Sequence, residues 1–171
     1  MTSTPEHRYV AGLELRASGE GKPLVLAGIA VPYGSRANIG RFTEEFRAGS
    51  LKPVDGGVIL NVAHDRTRPL ARSPNTMRWI DGADALRIEA TLPDTAEARD
   101  TAELVKTGVL PGLSLDFFCL KDEWRGTHRI ITEGLVQAVS VVDRPAYDGA
   151  VLEARWRAVE AIRAPAWVPG L

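Results

Sequence analysis

Short apolar segments separated by turn residues run through this chain, and they constrain its fold more than any other feature. Segment 24–31 is almost wholly apolar, which is typical of a strand buried on both faces. Segments 77–80 and 85–92 flank a Gly-containing turn and predict a hairpin. Further strands are predicted at 9–16, 58–63, 112–121, 128–133 and 135–142.

Helical signals are fewer than strand signals. The strongest begins at Asp94, which can cap a helix, has Glu97 three residues later and ends at Gly108. An apolar stripe predicts a second helix at 151–163. The final residues, 164–171, contain two Pro and are expected to form a loose tail.

Two further segments lack a strand pattern. Segment 42–46 has the composition of a single helical turn. Segment 65–75 contains three Arg and two Pro, so it is interpreted as a loop.

The order of these elements predicts an α+β fold that is mostly β. About seven short strands and two helices favour a small closed or nearly closed β-barrel with helices packed outside. The strands are not followed one by one by helices, which argues against a doubly wound parallel sheet. At 171 residues we expect one domain, residues 1–163, followed by the tail.

Composition excludes several classes of function. A formal net charge of −1 gives no electrostatic basis for binding nucleic acid or an anionic membrane. No apolar run reaches the roughly 18 residues of a membrane span, and the N-terminus lacks the order of a secretory signal. The single cysteine, Cys119, lies in an apolar segment, where we expect a buried thiol in a reducing cytoplasm.

The chain has three histidines, which narrows the choice of a general base. We expect His7 to lie in a mobile N-terminal stretch and His128 to be a surface residue at the start of a strand. His64 ends an apolar strand, where the sheet fixes its backbone while the ring can face an open site. It is the candidate base, and an exposed strand-end histidine is the alternative.

Ser114 is the candidate nucleophile because it interrupts an apolar strand. Strand alternation places Leu113, Leu115 and Phe117 on the core face, and Ser114 with Asp116 on the other. A solvated serine would give the same pattern. We predict no metal and no cofactor, because the metal-binding spacings of His and Cys are missing from the sequence.

Four segments in order resemble the phage prohead (capsid maturation) serine proteases of the HK97 type, relatives of the herpesvirus assembly proteases. They are the Asn-x-x-His-Asp segment ending at Asp65, the Gly-x-Ser-x-x-Phe segment around Ser114, the apolar strand 139–142, and the Pro-Ala turn that follows it. The resemblance covers about residues 28–150. It implies a herpesvirus-protease-like fold, with His64 and Ser114 as catalytic base and nucleophile.

The third catalytic residue departs from the family pattern. Family members have Leu-x-Glu-Val-Ser-Leu-Val before the Pro-Ala turn, and this alignment places Ala138 in the position of the Glu. We assign Glu133, on the preceding segment, as the catalytic carboxylate. Asp116 and a Ser–His dyad are the alternatives. Arg144 lies where herpesvirus relatives have arginines near the oxyanion, although a salt-bridged surface arginine is the simpler interpretation.

The resemblance implies a serine endopeptidase that cleaves scaffolding or capsid-protein segments during maturation of a phage-type procapsid. Its partners would be the major capsid protein and scaffolding segments, and its place the cytoplasm of the host cell, inside the assembling procapsid. A homo-oligomer is compatible with the sequence. The alternatives are an inactive or weak barrel domain that binds capsid or scaffold protein, and a small barrel that binds a ligand without chemistry.

Overall fold

The computed structural model describes residues 6–11, 13–17 and 23–143. Within these ranges the chain forms two β-sheets and one helix. In chain order the elements are β1 (Glu6–Ala11), β2 (Leu13–Ala17), β3 (Leu24–Pro32), β4 (Ala37–Asn38), β5 (Thr43–Phe46), β6 (Leu51–Pro53), β7 (Ile59–Val62), β8 (Asp65–Arg72), β9 (Met77–Asp81), β10 (Ala85–Thr91), α1 (Ala96–Lys106), β11 (Gly112–Arg125) and β12 (His128–Val142).

Strand β12 organises the larger sheet. One of its edges pairs antiparallel with β11, and the other pairs in succession with β5, β6 and β7, each parallel to it. Strand β8 adds to the outer side of β7. Residues 59–62, 112–116 and 138–142 therefore lie side by side, although they are far apart in the sequence.

The smaller sheet has the order β2-β3-β10-β9 within the described residues. It contains the predicted hairpin, β9 with β10, and the predicted buried strand β3, and both predictions are confirmed. Apolar side chains from both sheets share one core. Its largest fully buried members include Leu26, Met77, Leu86, Ile88, Leu113, Leu115 and Phe117.

Two sequence predictions about local structure are wrong. The segment predicted as a helical turn is β5. Glu44 of this strand is buried, and its carboxylate accepts a hydrogen bond from Arg129 at 3.0 Å, which compensates for the loss of contact with water. The segment predicted as a loop contains the eight-residue strand β8. Pro69 is tolerated there because β8 is an edge strand, which pairs only with β7 among the described strands.

The helix predicted at 94–108 is present as α1, but its cap is Thr95 rather than Asp94. The Thr95 hydroxyl accepts a hydrogen bond from the Ala98 backbone N–H at 3.2 Å. Glu97 does not complete a capping box with Asp94. Its carboxylate accepts two hydrogen bonds from Arg68 of β8, which ties the helix to the larger sheet.

The structure contradicts one of the remaining predictions, does not show another, and leaves the others untested. The described strands are divided between two sheets, and a closed barrel is not found among them. The N-terminal stretch that we expected to be mobile contains β1, in which the His7 backbone pairs with that of Asp116. The helix at 151–163, the tail at 164–171 and Arg144 lie outside the described residues, and a single domain over 1–163 stays a prediction.

Candidate active site

His64 lies at the tip of a two-residue hairpin between β7 and β8. Val62 pairs with Asp65, so Ala63 and His64 form the whole loop, with φ of 51° and 61°. Positive φ at both central residues belongs to the type I′ turn, which favours Asn and Gly. A left-handed conformation costs roughly 1–2 kcal/mol for a residue with a Cβ. Backbone strain of this kind is concentrated at functional sites.

Replacing Ala63 by glycine should therefore stabilise the fold. Relief of the left-handed strain, about 1–2 kcal/mol, exceeds the added entropy of the unfolded chain, about 0.4–1 kcal/mol. We expect a net gain of about 0.5–1 kcal/mol in the free energy of unfolding, measured by urea denaturation. Ala83→Gly, at an exposed turn position where φ is not positive, is the control and should destabilise. A loss of stability in Ala63→Gly would contradict the strained-turn interpretation.

Three polar side chains form a row across the larger sheet beside this turn. Ser114 of β11 pairs with Ser140 of β12, and Ser140 pairs with Asn61 of β7. All three are fully buried. Direct cross-strand neighbours lie on the same face of a sheet, so the three side chains share one face.

The imidazole of His64 lies over this face and contacts a carboxylate there. Its Nδ1 is 2.7 Å from a carboxylate oxygen of Asp116, which is two residues beyond Ser114 on the same face of β11. The Asp116 side chain is almost fully buried, and that of His64 is about one-fifth exposed. A buried carboxylate at Nδ1 holds the proton on that nitrogen and leaves Nε2 as the nitrogen that can accept one.

Ser140 and Asn61 support the same orientation of the ring. The Ser140 hydroxyl donates to Asn61 Oδ1 at 2.6 Å, and its oxygen lies 3.3 Å from His64 Nδ1. With its hydrogen directed to Asn61, the Ser140 oxygen can accept from the Nδ1–H that Asp116 also accepts. Sequence analysis did not assign a role to either residue, although each is a polar side chain in an apolar strand.

The predicted nucleophile lies on the same sheet face as Asp116, and no hydrogen bond joins its hydroxyl to His64. Ser114 is the direct cross-strand neighbour of Ser140, whose hydroxyl contacts the imidazole. It is fully buried, so it is not a solvated surface serine. Its hydroxyl has no hydrogen-bond partner within the described part of the chain.

The structure does not bring Glu133 to His64. The Glu133 carboxylate lies 2.6 Å from Lys121 Nζ at the surface, and the hydrogen bond and charge of Lys121 lower the pKa of Glu133. Along β12, Glu133 precedes Ser140 by seven residues, roughly 20 Å of extended strand. Ala138 lies between them and pairs directly with Asp116.

Asp65, from the Asn-x-x-His-Asp segment, and His128 have other partners in the structure. Asp65 accepts hydrogen bonds from the side chain and backbone of Thr67, and these lower its pKa. His128 is mostly buried, contrary to the surface position predicted for it, and contacts Thr43 and Glu45.

Neither a metal site nor a membrane span is evident in the described ranges. No group of three or more His, Cys, Asp and Glu side chains is arranged there to hold a metal ion. No helix within them combines the length and apolar character that crossing a bilayer requires.

Comparison with known proteins identifies the family. The sequence-family model of the caudovirus prohead serine proteases matches residues 11–165, about nine-tenths of the chain. Among solved structures, the bacteriophage T4 capsid assembly protease, gp21, is similar, with 12% identity and a TM-score of 0.49 over 81% of this chain and 97% of that one. None of the curated proteins matches. The chain belongs to the caudovirus prohead serine proteases and is a serine peptidase of phage capsid maturation.

Proposed function

We propose that Ser114, His64 and Asp116 form the catalytic triad of this peptidase. The observation that carries the proposal is the 2.7 Å contact between His64 Nδ1 and the Asp116 carboxylate, on the sheet face that Ser114 shares. A nucleophile, a base and a group that orients the base are the three parts that serine acyl transfer requires.

The proposed reaction proceeds in two acyl-transfer steps. His64 Nε2 accepts the hydroxyl proton of Ser114 while its Oγ attacks the scissile carbonyl carbon. Asp116 stabilises the imidazolium that forms, and His64 then gives the proton to the leaving amine as the C–N bond breaks. In the second step the same nitrogen accepts a proton from a water, whose oxygen attacks the acyl carbon. His64 then gives that proton to Ser114 Oγ as the ester C–O bond breaks, which releases the acid and regenerates the enzyme.

Asp116 explains how the chain can work with Ala138 in the position of the family's Glu. The two residues are direct cross-strand neighbours, whose Cβ atoms lie about 4.5–5.5 Å apart in such pairs. A carboxylate on either strand can therefore approach the same imidazole. We infer that the acidic group has moved from β12 to β11. This removes the reason for considering an inactive binding domain, which depended on the missing Glu.

The substrates that fit this family are capsid-protein or scaffolding segments. We propose that the protein cleaves them inside the assembling procapsid, in the cytoplasm of the host cell. If the protein forms a homo-oligomer, we expect it to assemble at the same place.

The closed or nearly closed barrel with helices packed outside, which the sequence predicts, also stays a proposal.

Co-expression with the major capsid protein of the same phage tests the function. Intact-mass measurement should show a capsid protein shortened at one defined bond with active enzyme and full-length with Ser114→Ala. Unshortened capsid protein with both, while the enzyme is folded by circular dichroism, would show that the capsid protein is not the substrate.

Replacing Glu133 by glutamine should leave the rate of cleavage within about twofold, because its carboxylate contacts Lys121 rather than His64. The substitution is a matched control for Asp116→Asn, since each replaces one carboxylate by its amide on neighbouring strands. A loss of tenfold or more in kcat for Glu133→Gln, with unchanged KM, would restore Glu133 as the catalytic carboxylate.

A further inference from the structure

A cavity with two arginines lies next to the proposed triad. Its volume is about 330 Å³, and residues of β7, β8, β11 and β12 of the larger sheet line it together with segment 54–57. Three apolar side chains supply part of the wall: Val54, which follows β6, Ile59 of β7 and Phe118 of β11. Polar and charged groups supply most of the rest: Asp55, Arg66, Arg72 and Gln137.

Strand register connects this cavity to the catalytic residues. Asp116, Ala138, Ile59 and Arg72 are successive cross-strand partners, so they form a second row on the face that holds Ser114. The cavity begins at the Ile59 end of this row and extends to Phe118. Two to four residues of strand, about 7–13 Å, separate its wall from the row of Ser114.

The lining of the cavity carries more positive than negative charge, with two arginines and one aspartate. Among the described residues, neither Arg66 nor Arg72 forms an ion pair with a carboxylate, and Asp55 is the only acidic side chain in the lining. Arg66 donates to Gln137 Oε1 at 2.5 Å, and Arg72 donates through Nε to the Gly56 carbonyl at 3.0 Å. Both side chains are exposed, and these bonds orient the two guanidinium groups at the mouth of the cavity. They leave further N–H donors on each, because a guanidinium has five.

We propose that this cavity is a substrate subsite for an acidic side chain, two to four residues from the scissile bond; the proposal rests on the proposed peptidase site. An extended peptide advances about 3.3 Å per residue, which sets that distance. Two guanidinium groups with free donors suit a carboxylate, and the apolar wall suits the methylene groups of glutamate better than the shorter aspartate. The subsite thus selects segments of capsid or scaffold protein that carry glutamate near the cleaved bond.

The test uses short peptides that span the cleavage bond mapped in the capsid protein. Each carries Glu, Gln or Lys at one position two to four residues from the bond, on either side. At one of these positions we expect wild type to prefer Glu over Gln by about tenfold or more in kcat/KM, mainly through KM. The double variant Arg66→Gln/Arg72→Gln should reduce this preference to less than about twofold.

Two further variants separate charge recognition from a general loss of activity. Arg41→Gln removes an exposed arginine from the turn between β4 and β5, away from the cavity, and should keep the full preference. Arg72→Glu should shift the preference toward the Lys peptide. Equal rates on Glu and Gln peptides in wild type at every position would overturn the proposal, as would an unchanged Glu preference in the double variant.

Binding to the Ser114→Ala variant distinguishes failure of the subsite from failure of the peptidase. Fluorescence anisotropy with labelled Glu and Gln peptides measures recognition without any cleavage. Tighter binding of the Glu peptide that is lost with Arg66→Gln/Arg72→Gln would support the subsite even where no peptide is cleaved. Normal cleavage together with equal binding of both peptides would reject the subsite alone.

Discussion

Replacing Ser114 by alanine should abolish cleavage and leave the fold intact. Loss of the nucleophile in a serine protease lowers kcat on the order of 10⁶-fold. The Ser114 hydroxyl is buried and has no partner within the described part of the chain, so its removal leaves no other group unsatisfied. We expect the free energy of unfolding to stay the same or to rise by up to about 1 kcal/mol. Peptide cleavage and urea denaturation of the same sample measure both effects.

Ser140→Ala is the matched control, because Ser140 is the other buried serine beside His64. Its hydroxyl donates to Asn61, so alanine leaves Asn61 Oδ1 without that donor and should cost about 1–3 kcal/mol in stability. We expect cleavage to survive with a rate reduced less than about tenfold, since the imidazole loses only its longer contact. Loss of cleavage with Ser140→Ala and its persistence with Ser114→Ala would make Ser140 the nucleophile.

Replacing Asp116 by asparagine should lower kcat by about 10⁴-fold with little change in KM, as expected when the group that fixes the imidazole tautomer is lost. Asparagine keeps the size of the side chain but can donate its amide hydrogen to Nδ1, which favours the wrong tautomer. Steady-state kinetics on a capsid-derived peptide measure the change. A loss below about tenfold would indicate that the enzyme works as a Ser–His dyad.

Cross-strand rescue separates orientation of His64 from a merely structural role of Asp116. In the Asp116→Asn background, Ala138→Glu places a carboxylate on the neighbouring strand and should recover at least about tenfold in kcat. In the native background the same substitution would bury two carboxylates on side chains whose Cβ atoms lie about 4.5–5.5 Å apart. Their repulsion should destabilise the fold without raising the rate. An Asp116→Asn variant that Ala138→Glu does not rescue would argue against the exchange of the acidic group between strands.

Patterns that depend on neighbouring residues alone were predicted correctly. The hairpin β9–β10, the buried strand β3 and the existence of α1 follow from apolar periodicity and turn residues, which act over a few positions. The same reasoning failed at β5 and β8. There a buried Glu44 and a strand with Pro69 are stabilised by Arg129 and by an edge position, and neither is visible locally.

Sequence patterns identified the family and pointed to His64 and Ser114, because His64 ends one apolar strand, Ser114 interrupts another, and the two occur in the order that the family shows. The resemblance located Ala138 as the departure from the family pattern. It led us to assign Glu133 in preference to Asp116 or a dyad, and the structure places Glu133 beside Lys121 instead. The position of a carboxylate relative to His64 depends on which strands are neighbours and in what register. The strand pairing in the folded protein places Asp116 opposite Ala138 and brings the Asp116 carboxylate to His64. A catalytic contact across strands depends on long-range pairing, which local sequence does not encode.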